Sequence, residues 1–170
     1  MASIAVVMTS EFEDIEFTAP KKSFQDAGHT MTVISFAKGQ ELKGKQGEAV
    51  VTSDLSIDEA NPQQFDALLI PGGFSPDQLR ADHRFVSFAK DFMFEDKPVF
   101  AICHGPQLLI TAETLQGRKV TGYISIQQDL KYAGATVFDK EVVTCGNLVT
   151  SRVPDDIPAF NQASLAKLAN

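Results

Sequence analysis

The 170-residue sequence has no tryptophan, only two cysteines, and no long run of apolar residues. Two cysteines cannot supply the set of disulfide bridges that stabilises small secreted domains. We therefore expect a reduced, cytoplasmic setting. An apolar run of about 20 residues would be needed to cross a bilayer, and its absence predicts no membrane-spanning helix. The start of the chain, residues 1–7, lacks the cationic and long apolar regions of a signal peptide.

The sequence also has fewer positively than negatively charged residues. It contains 15 Lys and Arg residues and 22 Asp and Glu residues, which gives a net charge of -7. An acidic surface favours solubility and disfavours nucleic acid and anionic membranes as partners. The hydrophobic share of 44% over 170 residues suits a single domain, residues 1–170, with one core.

Short apolar runs alternate with segments of helical periodicity along most of the chain. The runs predict strands at residues 3–8, 30–36, 67–70, 99–102, 136–138, 142–145 and 148–151. Helices are predicted at residues 14–27, 84–94, 126–133 and 155–168, another begins at Pro106, and residues 38–51 predict a turn or hairpin. Several strands are continuous apolar runs, which is typical of strands covered on both sides. We therefore expect an α/β fold with a mostly parallel central sheet and helices on both faces.

The loop after the strand at 99–102 is the leading candidate for a site, because ligands bind at the carboxyl ends of strands in such folds. Cys103 ends the strand, Gly105 permits a tight turn, and Pro106 suits the first position of a helix. This order is that of a nucleophile elbow, with cysteine in place of serine. The helix N-terminus is expected to lower the pKa of the thiol, and the following N–H groups could hold an oxyanion. A buried, inert cysteine is the alternative, and His104 either reaches the thiol or faces solvent.

Two other strand ends are predicted to lie at the same edge of the sheet. Gly72 and Gly73 follow Ile70, and their N–H groups are candidate oxyanion donors, although the pattern by itself also fits a plain turn. Residues 11–16 follow Met8 and contain four acids. Such a group usually marks a solvated helix start, but one desolvated carboxyl could keep its proton and donate a hydrogen bond to a thiolate.

Neither a metal nor a cofactor is expected. His29 and His83 are scattered, and Cys103 with His104 lacks the ligand spacing of a zinc site. The glycines after Ile70 form neither a phosphate loop nor a dinucleotide fingerprint.

Three segments together, residues 101–107, 11–14 and 69–73, resemble the PfpI family of intracellular proteases. That family belongs with the parkinsonism-associated protein deglycases in the class I glutamine amidotransferase-like superfamily. The resemblance covers the whole chain, including residues 44–47 and 150–156. It implies a flavodoxin-like three-layer sandwich and a homodimer or higher homo-oligomer.

The resemblance also implies roles for individual residues. Cys103 falls at the nucleophile position with His104 beside it, and Glu13 falls where the family has a carboxyl hydrogen-bonded to the thiol. Gly73 and the backbone of His104 fall at the oxyanion site, and Tyr123 falls at a pocket position. The remaining glycines assigned to oxyanion or substrate binding are Gly72 and Gly105.

One position departs from the protease-like members, in which a glutamate of the neighbouring subunit orients the histidine. This sequence has Asp77 there, and aspartate is one methylene shorter. Phe74 also makes the expected pocket edge more apolar than the basic residue that some proteases carry. Both departures count against a peptidase.

Three functions remain open from the sequence. The first is a stress-protective enzyme in which Cys103 attacks a reactive carbonyl such as methylglyoxal, or the adduct that it forms with a protein. The second is a cysteine peptidase or amidase acting on peptides and completed by Asp77 of a partner subunit. The third is a non-enzymatic, redox-responsive stress protein or chaperone, in which peroxide should oxidise Cys103 before Cys145. Cys145 itself is expected to be structural and not a resolving thiol.

Overall fold

The structure is a computed structural model that describes residues 1–170. Its strands, in chain order, are β1 (Ser3–Val7), β2 (Thr30–Ser35), β3 (Glu41–Lys43), β4 (Val50–Thr52), β5 (Leu55–Ser56), β6 (Ala67–Ile70), β7 (Val99–Ile102), β8 (Lys119–Val120), β9 (Thr136–Val137), β10 (Val143–Cys145) and β11 (Leu148–Ser151). Its helices are α1 (Asp14–Asp26), α2 (Ser75–Leu79), α3 (His83–Phe94), α4 (Pro106–Thr111), α5 (Gln127–Tyr132) and α6 (Ile157–Leu168).

Seven strands form the central sheet, in the order β10-β11-β7-β6-β1-β2-β5. All neighbouring strands are parallel except β10 and β11, which form an antiparallel edge pair. The sequence-based prediction of a mostly parallel α/β sheet is confirmed. The carboxyl ends of β1, β6 and β7 lie side by side, so the three loops singled out in the sequence meet at one edge.

Successive residues of each central strand enter different cores on the two faces of the sheet. In β7, Val99 and Ala101 pack with apolar residues of α3, α4 and α5, whereas Phe100 and Ile102 pack with those of α1 and α6. The same alternation holds in β1 and β6. Because both faces are covered, these strands need apolar side chains at every position, which explains their continuous apolar runs.

Most of the predicted elements are present, with ends shifted by a few residues. The segment predicted as a hairpin forms the antiparallel pair β3 and β4, and β8 pairs with β9 outside the central sheet. The prediction missed α2, a helix of five residues that starts directly after the glycine loop and buries Leu79. One turn of helix is too short to give a periodic pattern in the sequence. No helix in the structure has the length and apolar character needed to cross a membrane.

Candidate active site

Cys103 occupies a sharp bend between β7 and α4. Its backbone φ is 63°, in the left-handed region that non-glycine residues rarely adopt and that costs about 1–2 kcal/mol. Two backbone hydrogen bonds hold the bend: the Cys103 N–H donates to the carbonyl of Ser151 at 3.0 Å, and the Tyr123 N–H donates to the Cys103 carbonyl at 2.8 Å. The strand–turn–helix geometry of a nucleophile elbow is therefore present, and the sulfur lies at the carboxyl end of a central strand.

Gly105 closes this bend. Its N–H donates to the carbonyl of Ile102 at 2.8 Å. A Cβ at this position would collide with the carbonyl oxygen of Ile70, because α4 begins close against β6. The assignment of Gly105 to the oxyanion site is thus corrected: this glycine permits close packing of the turn.

The two glycines after β6 have different roles. The N–H of Gly72 donates to Oε1 of Glu16 at 2.9 Å, so it is not free to bind an oxyanion as predicted. A Cβ on Gly72 would lie 2.8 Å from the Cβ of Cys103. Gly73 has a positive φ of 76°, and its N–H, like that of His104, acts to lower the pKa of the Cys103 thiol. These two N–H groups remain the candidate oxyanion donors.

The carboxyl beside the thiol belongs to Glu16 and not to Glu13. Glu16 is fully buried in the first turn of α1, and its Oε2 accepts no hydrogen bond from an N–H or hydroxyl group. Burial raises the pKa of Glu16 to about 8, an effect that the Gly72 N–H partly opposes, so the carboxyl is mostly protonated at neutral pH. Glu13 points elsewhere: both of its oxygens lie within hydrogen-bonding distance of Gln46 Nε2, at 3.0 and 3.3 Å.

A pattern in the sequence could have identified Glu16. The buried residues Glu16, Pro20 and Phe24 follow one another at intervals of four along α1, so Glu16 lies on the apolar stripe of the helix. A carboxyl on such a stripe is desolvated. Glu13 is the N-cap residue, where the chain has not yet entered the helix.

Cys103 is only 7% exposed. Burial raises its pKa, and the negative charge of an ionised Glu16 would raise it further, while the N–H groups of Gly73 and His104 act in the opposite direction. The expectation that the helix N-terminus would leave a low-pKa thiol is wrong, because burial outweighs the N-terminus of a six-residue helix. A nucleophile at this position needs a nearby group that takes its proton.

His104 is placed to take that proton. Its Nδ1 lies 3.4 Å from Sγ of Cys103, and its Nε2 lies 3.4 Å from Oγ of Ser125. The ring stacks on Tyr123, with 4.8 Å between ring centroids. Burial and, to a smaller extent, the charge of Lys45 lower the pKa of His104, so the neutral imidazole predominates at neutral pH.

A cavity of about 360 Å³ opens above the sulfur. It is lined by Glu13, Glu16, Lys45, Gly73, Phe74, Cys103, His104, Tyr123 and Pro154. The structure therefore brings Glu13 and Tyr123 to the pocket as predicted from the resemblance, although Glu13 lies at a different position relative to the thiol. Three residues of this lining, Glu16, Lys45 and Pro154, are not among the site residues predicted from the sequence.

The segment that carries Lys45 is fixed by Asp14. The buried Asp14 carboxylate accepts the N–H groups of Gln46, Glu48 and Ala49 at 2.7–2.9 Å. Burial alone would raise the pKa of Asp14, but these N–H groups together lower it. A Cβ on Gly44 would collide with the same carboxylate, which explains the glycine before Lys45.

Asp77 lies in α2 with an exposed side chain and has no hydrogen bond or ion pair involving its carboxylate within the chain. Its charge acts on His104 only as a small influence that raises the pKa of the imidazole. The contribution of Asp77 to the site of a partner subunit stays a prediction.

Cys145 differs from Cys103 in its surroundings. It is partly exposed, and its sulfur accepts the Lys119 N–H at 3.3 Å. Burial alone would raise the pKa of this thiol, but the Lys119 N–H and the nearby Arg118 together lower it. Oxidation of Cys103 ahead of Cys145 therefore does not follow from thiol ionisation. No group of three or more His, Cys, Asp or Glu side chains is placed to hold a metal ion.

Comparison with known proteins gives matches over nearly the full length. The model of the DJ-1/PfpI family matches residues 2–167. The chain is 67% identical over 166 residues to General stress protein 18 of Bacillus subtilis, covering 97% of this chain and 96% of that protein. It is 57% identical over 166 residues to Protein/nucleic acid deglycase 2 of Escherichia coli, with the same coverage of both chains.

Solved structures show the same fold. The DJ-1/ThiJ/PfpI-like part of a two-domain protein from Anabaena variabilis, which also has a ferritin-like domain, superposes with a TM-score of 0.97 at 37% identity. That match covers 99% of this chain and 48% of the other. A ThiJ/PfpI domain protein from Brachyspira murdochii gives a TM-score of 0.92 at 30% identity, covering 98% of this chain and 96% of the other.

Proposed function

Because this chain belongs to the DJ-1/PfpI family, whose model spans residues 2–167, we propose that it is an enzyme in which Cys103 attacks reactive carbonyl compounds. The substrate class is 2-oxoaldehydes such as methylglyoxal, free or bound to a protein amine or thiol. The observation that carries this proposal is the Cys103 sulfur at the base of a cavity, 3.4 Å from a histidine nitrogen. The relative named as a deglycase supports the same class of chemistry.

The first step forms a bond between the Cys103 sulfur and the aldehyde carbon. His104 takes the thiol proton at Nδ1, while its Nε2–H faces Ser125. The aldehyde oxygen becomes negative as the bond forms. The N–H groups of Gly73 and His104, which favour the thiolate of Cys103, are the donors that would stabilise this oxygen.

The second step moves a hydrogen within the bound adduct. A base removes the proton from the former aldehyde carbon, and a proton is added to the neighbouring ketone carbon through an enediol. The result is a thioester of a 2-hydroxy acid, which water hydrolyses to restore the thiol. Methylglyoxal and water thus give lactate, with one carbon oxidised and its neighbour reduced and no outside oxidant. His104 first returns the thiol proton to the oxygen of the adduct and, neutral again, is the base that removes the C–H proton. The protonated Glu16 is the proton donor in this scheme.

A protein-bound substrate enters by the same route. In an aminocarbinol the C–N bond breaks as the sulfur bonds to the carbon, and the amine leaves with the thiol proton, delivered by His104. The hemithioacetal that results is the one formed from free methylglyoxal. The exposed Phe74 at the cavity edge offers an apolar contact for the chain that carries the modification.

The test measures lactate from methylglyoxal in a buffer free of thiols and amines. We compare the wild type with Cys103→Ala and with Cys145→Ala, which removes the other thiol. Turnover should be lost in the first variant and kept in the second. Equal lactate formation by wild type and Cys103→Ala would refute the proposal.

A peptidase would need an acid that orients His104 from outside the chain, since Ser125 is the group beside Nε2. We propose Asp77 of a second copy for that role in a homodimer or larger assembly. Peptide hydrolysis that disappears on dissociation to monomers would support this second activity. Full hydrolysis by a monomeric variant would contradict it.

A further inference from the structure

We propose that Lys45 determines substrate specificity by binding a carboxylate on the substrate. The site would then prefer 2-oxoaldehydes whose tail ends in a carboxylate over neutral ones such as methylglyoxal. This inference rests on the proposed carbonyl chemistry of Cys103, which it deepens by naming the substrate class.

Lys45 is the only Lys or Arg residue that lines the cavity above the sulfur. Its Nζ lies 4.8 Å from the centroid of the Phe74 ring, at the edge of the cavity. The Lys45 side chain is 38% exposed, so the ammonium can meet a ligand without being stripped of all its water. A cation held against an aromatic face keeps its position while its N–H groups stay available.

The ammonium donates no hydrogen bond within the chain. Its nearest carboxylate oxygen is Glu13 Oε2 at 3.8 Å, an ion pair too long for a hydrogen bond. The Glu13 oxygens instead approach Gln46 Nε2 at 3.0 and 3.3 Å. Lys45 therefore has three donors for an incoming anion, and Glu13 compensates only part of its charge.

The backbone around Lys45 is fixed before any ligand arrives. The Lys45 N–H donates to the carbonyl of Phe12 at 2.8 Å, and Gly44 N–H donates to the carbonyl of Ala49 at 2.8 Å. Asp14 binds three further N–H groups of the same turn. A cation on a rigid segment loses less conformational entropy when it binds, which strengthens its selection of an anionic group.

The reaction balances for such a substrate as it does for methylglyoxal. With 4,5-dioxopentanoate, the aldehyde carbon becomes a carboxylate, the adjacent ketone becomes an alcohol, and water supplies the added oxygen, giving 2-hydroxyglutarate. The carboxylate already on the tail takes no part in bond making. Its role is to hold the substrate at Lys45 while the aldehyde meets the Cys103 sulfur.

The first test needs no turnover. Cys103 is alkylated with iodoacetate, which is anionic, and with iodoacetamide, which is neutral and of similar size, and the modified Cys103 peptide is quantified by mass spectrometry. Lys45→Met should lower the ratio of the iodoacetate rate to the iodoacetamide rate by about tenfold, the loss expected for one charge-assisted contact. Glu13→Gln should raise the ratio, because Lys45 then loses its partial counter-charge.

Lys43→Met is the matched control. Lys43 lies two residues away on β3, its side chain is 70% exposed, and it pairs with Glu41 and not with the cavity. The ratio should stay at the wild-type value in this variant. An equal fall of the rate ratio in both lysine variants would show that any nearby positive charge attracts the anionic reagent. An unchanged ratio in Lys45→Met would show that Lys45 does not contact the carboxylate of the reagent. Either result overturns the proposal.

The second test compares kcat/KM for 4,5-dioxopentanoate and methylglyoxal. In Lys45→Met the value for 4,5-dioxopentanoate should fall about tenfold more than that for methylglyoxal, with most of the loss in KM. Equal losses would overturn the proposed specificity. If neither compound is turned over while the alkylation ratio still depends on Lys45, the carbonyl function fails and the anion contact stands.

Discussion

The buried carboxyl of Glu16 accepts a hydrogen bond from the backbone N–H of Gly72 at 2.9 Å. This contact ties α1 to the glycine loop at the edge of the sheet, directly beside Cys103. It also places an acid with no exposed surface next to a thiol that is itself nearly buried. We therefore expect the protonation of Glu16 to affect both the stability of the fold and the proposed reaction at Cys103.

Glu16→Gln should remove a pH dependence of stability. The pKa of Glu16 is raised from 4.5 to about 8, so the folded chain binds a proton more tightly than the unfolded chain. The stabilisation of the fold by the protonated Glu16 is complete below the pKa of this carboxyl in the unfolded chain. It is lost as the pH rises through about 8, the pKa in the folded chain. Between about pH 5 and pH 8.5 the wild type should lose up to about 4 kcal/mol of unfolding free energy relative to Glu16→Gln.

Urea unfolding across that pH range checks this prediction. Glu13→Gln is the control, because it makes the same change at a carboxyl that remains 15% exposed. The unfolding free energy of the control should follow that of the wild type. Parallel pH profiles for the two Gln variants would contradict the assignment of the buried proton to Glu16.

Asp14→Asn should loosen the turn that carries Lys45. The variant loses the negative charge that three backbone N–H groups share, and we expect a loss of about 1–3 kcal/mol of unfolding free energy at neutral pH. The pKa of Asp14 is lower in the folded chain than its value of 3.8 in the unfolded chain. The stabilisation of the fold by the Asp14 carboxylate is therefore complete above pH 3.8 and is lost as the pH falls through the pKa of the folded chain. The difference from wild type should therefore shrink in acid.

Denaturant unfolding at neutral and acid pH measures this effect, and amide hydrogen exchange at Gln46, Glu48 and Ala49 locates it. Asp26→Asn serves as the comparison, because Asp26 is an exposed partner of Lys22 and its loss should matter little. Faster exchange throughout the chain, with no excess at these three amides, would argue against a local role of Asp14.

His104→Gln should lower kcat/KM for methylglyoxal by about a hundredfold, the usual effect of losing a general base. Because the pKa of His104 is lowered, the neutral imidazole persists below its ordinary range. The acid limb of the wild-type rate profile should accordingly have its midpoint below pH 6.5. Kinetics of the wild type, His104→Gln and the exposed control His83→Gln would check both statements. A His104 variant as active as the His83 control would remove the imidazole from the mechanism.

The sequence allowed the fold and the position of Cys103 at a strand-to-helix bend to be predicted, because both depend on local patterns. The continuous apolar runs of β6 and β7 and the order Cys103, Gly105, Pro106 are features of neighbouring residues. The carboxyl partner could not be chosen in the same way. Four acids lie within residues 11–16, and which of them turns inward depends on where α1 begins.

The other features of the site that were not predicted depend on contacts between residues far apart in the sequence. Lys45 lines the cavity from a turn whose N–H groups bind Asp14, which is far away in the sequence. The protonation of Cys103 depends on burial by several elements, which outweighs the local effect of a short helix. Two glycines predicted as oxyanion donors, Gly72 and Gly105, already donate their N–H groups in hydrogen bonds within the fold.

The most direct test of the proposed chemistry is ¹³C NMR of the protein with methylglyoxal labelled at the aldehyde carbon. It is carried out in Cys145→Ala and in the Cys103→Ala, Cys145→Ala double variant. We predict a protein-bound hemithioacetal carbon in the first sample, followed by labelled lactate, and neither signal in the second. Labelled lactate at the same rate in both samples would contradict a mechanism in which Cys103 is the nucleophile.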